Sequence, residues 1–86
     1  MKMHELKTLP GYFVAAMQGR KPFEVRRHDR DFREGDVLVL REWTDGPPYG
    51  YTGRELRRRI TYVLEGICAR EVGLRDGFCV LGVEPA

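Results

Sequence analysis

Lys21, Glu24 and Arg26 place two cations and one carboxylate within six positions of the chain. The guanidinium of an arginine and the ammonium of a lysine both donate hydrogen bonds to phosphate or other acceptor-rich groups. A carboxylate between them keeps the two cations oriented and can itself accept a hydrogen bond from a ligand. The trio therefore indicates a site for a polar or anionic ligand, provided that one surface collects all three side chains.

Two other interpretations of the trio stay open. Exposed ion pairs in a simple solvated ladder would contribute only about 0–1 kcal/mol and bind nothing. If the protein is an enzyme, Lys21 and Glu24 are its candidate catalytic acid–base pair.

The sequence shows no Ser-His-Asp set, no phosphate-binding glycine loop and no metal motif, so no cofactor or metal is expected. Cys68 and Cys79 are predicted to be free thiols, one of them buried.

A short helix is predicted directly before the trio, over LPGYFVAAMQGR. Thr8 is a candidate N-cap, Pro10 is tolerated in the first turn, and Gly19 lies where a left-handed residue ends many helices. Apolar residues at helical spacing predict one buried stripe. Its members are Leu9, Phe13, Ala16 and Met17.

Glu24 and Arg26 are predicted to lie on a strand, because apolar and charged residues alternate along PFEVR. A strand places Glu24 and Arg26 on one face and Phe23 and Val25 on the other. We expect the two apolar residues to be buried and the two charged ones to point outward, with Lys21 reaching the same side from the junction between helix and strand.

The remaining chain predicts further strands with turns between them. MHELKTL is a candidate first strand, DVLVLREW a central or barrel-lining strand, and RELRRRITYVLEG and FCVLGVEP the last two. RHDRDFREGD is a charged loop anchored by Phe32 and balanced by its own ion pairs, TDGPPYGYTG is a hairpin loop, and ICAREVGLRDG is irregular. The predicted fold class is α+β and mainly β: a single domain over 1–86, a small antiparallel β-barrel of about five strands with one helix beside it.

Composition narrows the class of protein. Hydrophobic residues make up 42% and charged residues 33% of the 86, which is typical of a globular domain. No apolar run approaches the roughly 20 residues of a membrane span, and the first residues form no secretory signal, so we expect a cytoplasmic protein without membrane contact. Twelve of the fifteen basic residues are arginine, which points mildly to nucleic acid, although GC-rich coding would have the same effect.

Further candidate contacts lie outside the trio. Lys7, on the first strand, would add positive charge if that strand borders the same cleft. Arg57 and Arg59 share a strand face at a separation of roughly 7 Å, which is close to the spacing of successive phosphates. Trp43 is expected in the core. Tyr49 and Tyr51, in the glycine- and proline-rich loop, are both candidates for stacking on unpaired bases.

The pattern formed by Gly19, Lys21, Glu24 and Arg26 resembles the motif of the ASCH family, a branch of the PUA-like superfamily. The segments HELKTLP, YTGRE, RRITYVL and FCVLGVEP are similar to a short branch of that family in phage and bacteria, so the resemblance covers nearly the whole chain. It implies a PUA-like β-barrel with a cleft between barrel and helix, and it implies RNA or a nucleotide as the partner.

The resemblance leaves activity open. Some ASCH relatives hydrolyse N4-acetylcytidine with a lysine, a threonine nucleophile and a glutamate, and others are associated with RNA cleavage. Lys21 matches the lysine, but Glu24 stands where the threonine would be, which argues against acyl transfer. We therefore expect an RNA- or nucleotide-binding module; a small hydrolase of modified nucleosides or RNA, or a protein-interaction module, is the alternative. The expected ligand contacts are Lys7, Lys21, Glu24, Arg26, Arg57 and Arg59.

Overall fold

Five strands and two short helices make up the computed structural model, which describes residues 1–86. The elements are β1 (Met3–Thr8), α1 (Pro10–Met17), β2 (Phe23–Arg27), β3 (Val37–Thr44), β4 (Gly50–Leu64), α2 (Gly66–Glu71) and β5 (Phe78–Pro85). The prediction of a mainly β domain with about five strands is confirmed. The helices span eight and six residues, and neither is long and apolar enough to cross a bilayer.

One sheet contains all five strands in the order β1-β3-β4-β5-β2. β1 runs parallel to β3, and the other three neighbouring pairs are antiparallel. The parallel pair arises because α1 and β2 intervene between β1 and β3, and a parallel return requires such a crossover. The sheet curls into a half-barrel whose edge strands are β1 and β2. We call the gap between these two edges the seam.

The core lies on the concave face of the sheet. Leu38 and Leu40 of β3 are fully buried, and they cluster with Ile60 of β4 and Leu81 of β5. The alternate residues of β3 are buried too, on the opposite face, where the long side chains of β4 flank them. This two-sided burial confirms the prediction of a central strand, because β3 lies between β1 and β4.

The helix α1 differs from its prediction at its start. The Thr8 hydroxyl does not cap it, because it donates to the Leu6 carbonyl at 3.2 Å instead. Phe13 and Ala16 are buried, but Leu9 and Met17, the ends of the predicted stripe, are exposed because the helix has only eight residues to cover the sheet. The buried stripe therefore contains two of the four predicted residues, Phe13 and Ala16, and not Leu9 or Met17.

The other end of α1 follows its prediction. Gly19 adopts a φ of 76°, and its N–H donates to the Ala16 carbonyl at 3.1 Å. Arg58 of β4 donates to the same carbonyl at 3.1 Å, so a cation from the sheet also stabilises the helix terminus. The chain therefore leaves α1 in a fixed direction, and this direction places Lys21.

Two smaller differences concern α2 and Trp43. α2 replaces the predicted irregular segment, and its buried residue is Ala69. Trp43 is half-buried rather than in the core, because it lies near the end of β3 on its outer face. The free thiols follow their prediction: Cys68 is exposed and Cys79 is buried, where desolvation, with the nearby Glu65 and Asp29 charges, raises its pKa to about 11.

The charged loop between β2 and β3 is anchored at Asp36. Its carboxylate accepts hydrogen bonds from His4 Nε2 at 2.9 Å and from the backbone N–H groups of Lys2 at 2.9 Å and Arg33 at 3.1 Å. Phe32 is buried with its ring centroid 4.9 Å from that of His4, as predicted for the anchor of this loop. Burial raises the pKa of Asp36, but the hydrogen bonds from His4 and the two N–H groups, with the His4 charge, outweigh it, so the net pKa lies below its ordinary value.

Acid should weaken this anchor. A carboxyl whose pKa is lowered by folding stabilises the native state above its unfolded pKa of about 4 and loses that contribution as the pH falls through its folded pKa. We expect Asp36→Asn to lower the free energy of unfolding at neutral pH by about 1–3 kcal/mol and to flatten its decline below pH 5. Urea titrations across that range measure both effects. The exposed Asp45→Asn is the control, and an acid decline in Asp36→Asn as steep as in the unmodified protein would contradict the assignment.

Candidate functional site

The structure brings Lys21, Glu24 and Arg26 together at the start of β2. Lys21 Nζ lies 2.6 Å from Glu24 Oε2, and Arg26 Nη2 lies 3.1 Å from Glu24 Oε1. Arg26 Nε adds a longer contact of 3.3 Å to the same oxygen. Both carboxylate oxygens are therefore occupied by cations, and the trio carries one excess positive charge.

The structure buries the face of β2 that carries Glu24 and exposes the face that carries Phe23 and Val25, which is the reverse of the prediction. Glu24 is only 2% exposed and lies beside buried Leu81 of β5, whereas Phe23 and Val25 are 41% and 47% exposed. The alternation was right, and the choice of inner face was wrong. The carboxylate tolerates burial because two cations compensate for the loss of water, and the apolar pair instead borders a surface hollow.

Arg26 also spans the seam. Its Nη1 donates to the Lys7 carbonyl at 2.9 Å and its Nη2 to the Thr8 hydroxyl at 3.2 Å, both on β1. β1 and β2 are not neighbours in the sheet, so this guanidinium takes the place of a backbone ladder between the two edges. The same side chain thus positions Glu24 from one side and β1 from the other.

A hollow of about 580 Å³ opens beside the trio, within the range of small-ligand sites. We call it the seam hollow. The trio and Lys7 supply its charge, and Leu9, Tyr12, Phe23 and Val25 supply apolar and aromatic wall. Lys21 Nζ lies 5.4 Å from the ring centroids of both Tyr12 and Phe23. A flat ring would meet aromatic surface and cationic donors at the same time.

Each cation of the trio keeps donor capacity toward the hollow. Lys21 donates to Glu24 and to the Phe23 carbonyl at 3.1 Å, which leaves one of the three hydrogens of an ammonium. Arg26 donates to Glu24, Lys7 and Thr8, and its five N–H groups are not exhausted by these contacts. Glu24, by contrast, has both oxygens engaged and little exposure, so its role is to hold the cations.

The remaining predicted contacts divide between this site and other surfaces. Lys7 lines the seam hollow, and its Nζ lies 4.4 Å from the Trp43 ring centroid. Arg57 and Arg59 lie on the exposed face of β4 and do not line the hollow. Arg59 faces Glu84 at 4.0 Å. The structure therefore groups four of the six predicted residues and leaves the two arginines of β4 apart, so their role stays a prediction.

The sequence did not indicate Thr8, Tyr12 or the outward-facing apolar pair of β2 as parts of the site. The Thr8 hydroxyl is buried in the wall of the hollow, but its hydrogen goes to the Leu6 carbonyl and it accepts from Arg26. No base lies within hydrogen-bond reach of that hydroxyl, so it is not an activated nucleophile. No group of three or more His, Cys, Asp or Glu side chains is arranged to hold a metal ion.

Neutralising Glu24 should destabilise the fold. Glu24→Gln keeps the size of the side chain but leaves Lys21 and Arg26 without their compensating charge, so we expect the free energy of unfolding to fall by roughly 3 kcal/mol. Glu84→Gln, which removes an exposed carboxylate 4.0 Å from Arg59, is the matched control and should cost less than about 0.5 kcal/mol. Denaturant titrations compare the two, and equal effects would show that the trio is only a solvated ladder.

The chain is similar to one protein family and to one phage protein. Residues 3–83 match the family described as "Domain of unknown function (DUF3850)". The chain is also 41% identical over 64 residues to a protein of Escherichia phage P2 described as "Uncharacterized 12.9 kDa protein in GpA 3'region". The aligned stretch covers 74% of this chain and 56% of the phage protein, so the chain spans little more than half of that relative. Because the family match extends over nearly all of its residues, the chain belongs to the DUF3850 family.

Proposed function

We propose that this protein is an RNA- or nucleotide-binding module of the ASCH type, and that the seam hollow takes a nucleotide base together with its phosphate. The observation that carries the proposal is the excess positive charge of the trio, held by a buried carboxylate at the wall of an aromatic-lined hollow. Acceptor-rich, planar and anionic ligands satisfy such a surface, and nucleotides combine all three properties.

The ligand would be held by two kinds of contact. A base stacks on Tyr12 or Phe23, whose exposed rings face the hollow. Phosphate or base oxygens accept from the remaining donors of Lys21 and Arg26, and Lys7 adds charge at the rim. Of the two roles considered for Glu24, orientation of the cations has more support than contact with a base, since both of its oxygens are already occupied.

The hydrolase alternative has less support from the site. Lys21 and Glu24 would be its acid–base pair, but each is bonded to the other at 2.6 Å. The aliphatic hydroxyl in the wall, that of Thr8, is held by the Leu6 carbonyl and by Arg26. Acyl transfer needs a nucleophile paired with a base, and this arrangement pairs the hydroxyl with a cation that cannot accept its proton.

The protein-interaction alternative also has less support. It requires a free sheet edge to which another chain can add a strand. On β1, the Lys7 carbonyl already accepts from Arg26 at 2.9 Å, and the Glu5 carbonyl accepts from Arg30 at 3.5 Å. Arginine side chains therefore occupy acceptors that an added strand would need.

Removal of the Lys21 charge tests the proposal. We expect Lys21→Ala to weaken binding of a fluorescent RNA about tenfold and to reduce the slope of log affinity against log salt by about one, because one phosphate contact is lost. Fluorescence anisotropy at several salt concentrations measures both quantities. Lys2→Ala is the matched control, since this exposed residue makes its hydrogen bonds through its backbone N–H and carbonyl and none through its side chain.

Two outcomes would contradict the proposal. One is the absence of RNA and nucleotide binding by the unmodified, folded protein at low salt. The other is turnover: release of acetate from N4-acetylcytidine or cleavage of the RNA, followed by mass spectrometry and abolished by Lys21→Ala, would replace the binding module by the hydrolase alternative.

A further inference from the structure

A second hollow, of about 310 Å³, lies on the far side of the bridge between Arg26 and β1. Lys7 and Arg26 line both hollows, so the two are adjacent along the seam, and we call them together the groove. Buried Phe32 lies in the wall of the second hollow, and Arg27 and Arg30 supply further positive charge there. The groove is therefore longer than a single nucleotide in the seam hollow would use.

Aromatic rings continue along the outer face of the sheet from this groove. Tyr51, which is 50% exposed, lines the second hollow, and its ring centroid lies 4.1 Å from Arg41 Cζ. Trp43 is the strand partner of Tyr51 and carries Lys7 on its ring at 4.4 Å. The rings and the cations thus alternate beside the seam, the pattern by which proteins hold bases and phosphates of an unpaired strand.

Charge along the groove is positive on balance. The two hollows are lined by five cations, namely Lys7, Lys21, Arg26, Arg27 and Arg30. Besides Glu24, which the trio engages, the carboxylates in their lining are the two of Glu5 and Asp29. Those two pair with exposed arginines at 3.3 Å and 3.5 Å, distances and exposures at which a competing phosphate can replace a carboxylate. Arg27 has no carboxylate partner and lies over the Phe78 ring at 5.0 Å.

We propose that the groove binds a single-stranded nucleic acid of several nucleotides: one base enters the seam hollow, the backbone crosses Lys7 and Arg26, and following nucleotides reach Arg27, Arg30 and Tyr51. This inference rests on the proposed function and names its ligand class. A duplex fits less well, because its bases are already stacked on each other and would leave the exposed rings without a partner. A free mononucleotide would leave the second hollow empty.

Two measurements test the inference: the dependence of affinity on RNA length, and the effect of removing the Tyr51 ring. An RNA of about six nucleotides should bind at least tenfold more tightly than the corresponding mononucleotide, and more tightly than a duplex of the same sequence. Tyr51→Ala should weaken the hexanucleotide about tenfold and leave the mononucleotide unaffected, since one stacking contact is lost only in the longer ligand. Arg27→Ala should lower the salt slope of the hexanucleotide by about one.

Controls and outcomes separate this inference from the proposed function. Tyr62→Ala, on β4, and Arg75→Ala, before β5, change exposed residues that line neither hollow and should leave hexanucleotide affinity unchanged. Equal affinity for mononucleotide and hexanucleotide, or for duplex and single strand, would overturn the inference while the proposed function stands. Loss of all binding to the unmodified protein would overturn both. Tight binding of a DNA hexanucleotide supports recognition through phosphates and bases, and RNA-only binding supports the same groove with a 2′-hydroxyl contact added.

Discussion

The candidate site depends on the ion pairs that the buried Glu24 carboxylate forms with Lys21 and Arg26. Removal of an ionised carboxylate from water costs several kcal/mol, and only close, hydrogen-bonded counter-charges offset that cost. Lys21 and Arg26 meet this requirement with contacts of 2.6 Å and 3.1 Å. Because Lys21 comes from the junction after α1 and Arg26 from further along β2, one carboxylate fixes the end of the helix and the edge strand together. Two cations around one anion leave the excess charge that faces the seam hollow.

The open seam and the hollow beside it are consequences of the same arrangement. Had β1 and β2 paired through their backbones, the barrel would have closed and no hollow would remain between them. Instead the Arg26 guanidinium reaches the Lys7 carbonyl and the Thr8 hydroxyl across the gap. Occupied carbonyls also protect the β1 edge from pairing with other chains. A side chain, unlike a backbone ladder, leaves space on both sides of its contact, which is why hollows flank it.

The sequence allowed the mainly β fold and the grouping of the trio to be predicted, because a period of two and a short motif are local properties. It could not indicate which face of β2 is inner, since burial of Glu24 depends on where its cations lie in space. Thr8 was a reasonable N-cap by type, yet its hydroxyl is committed to the Leu6 carbonyl. The parallel pairing of β1 with β3 and the single turn of α2 were equally inaccessible, because both depend on tertiary packing. Gly19 was predictable, since the left-handed conformation that ends many helices favours glycine, which lacks a Cβ.

The charged stretch after the trio shows why net charge alone says little about this protein. The chain as a whole carries +2, and residues 18–36 hold eleven charged side chains. Asp31 pairs with Arg33 inside the loop at 2.9 Å, as the internal charge balance of the loop predicted, whereas Asp36 is occupied by His4 of β1. Arg26 and Arg27, at the other end of the same stretch, face the seam. This run of charges therefore divides into a loop whose acids are paired and a cationic stretch at the seam. The positions of the paired carboxylates determine where the surface stays positive.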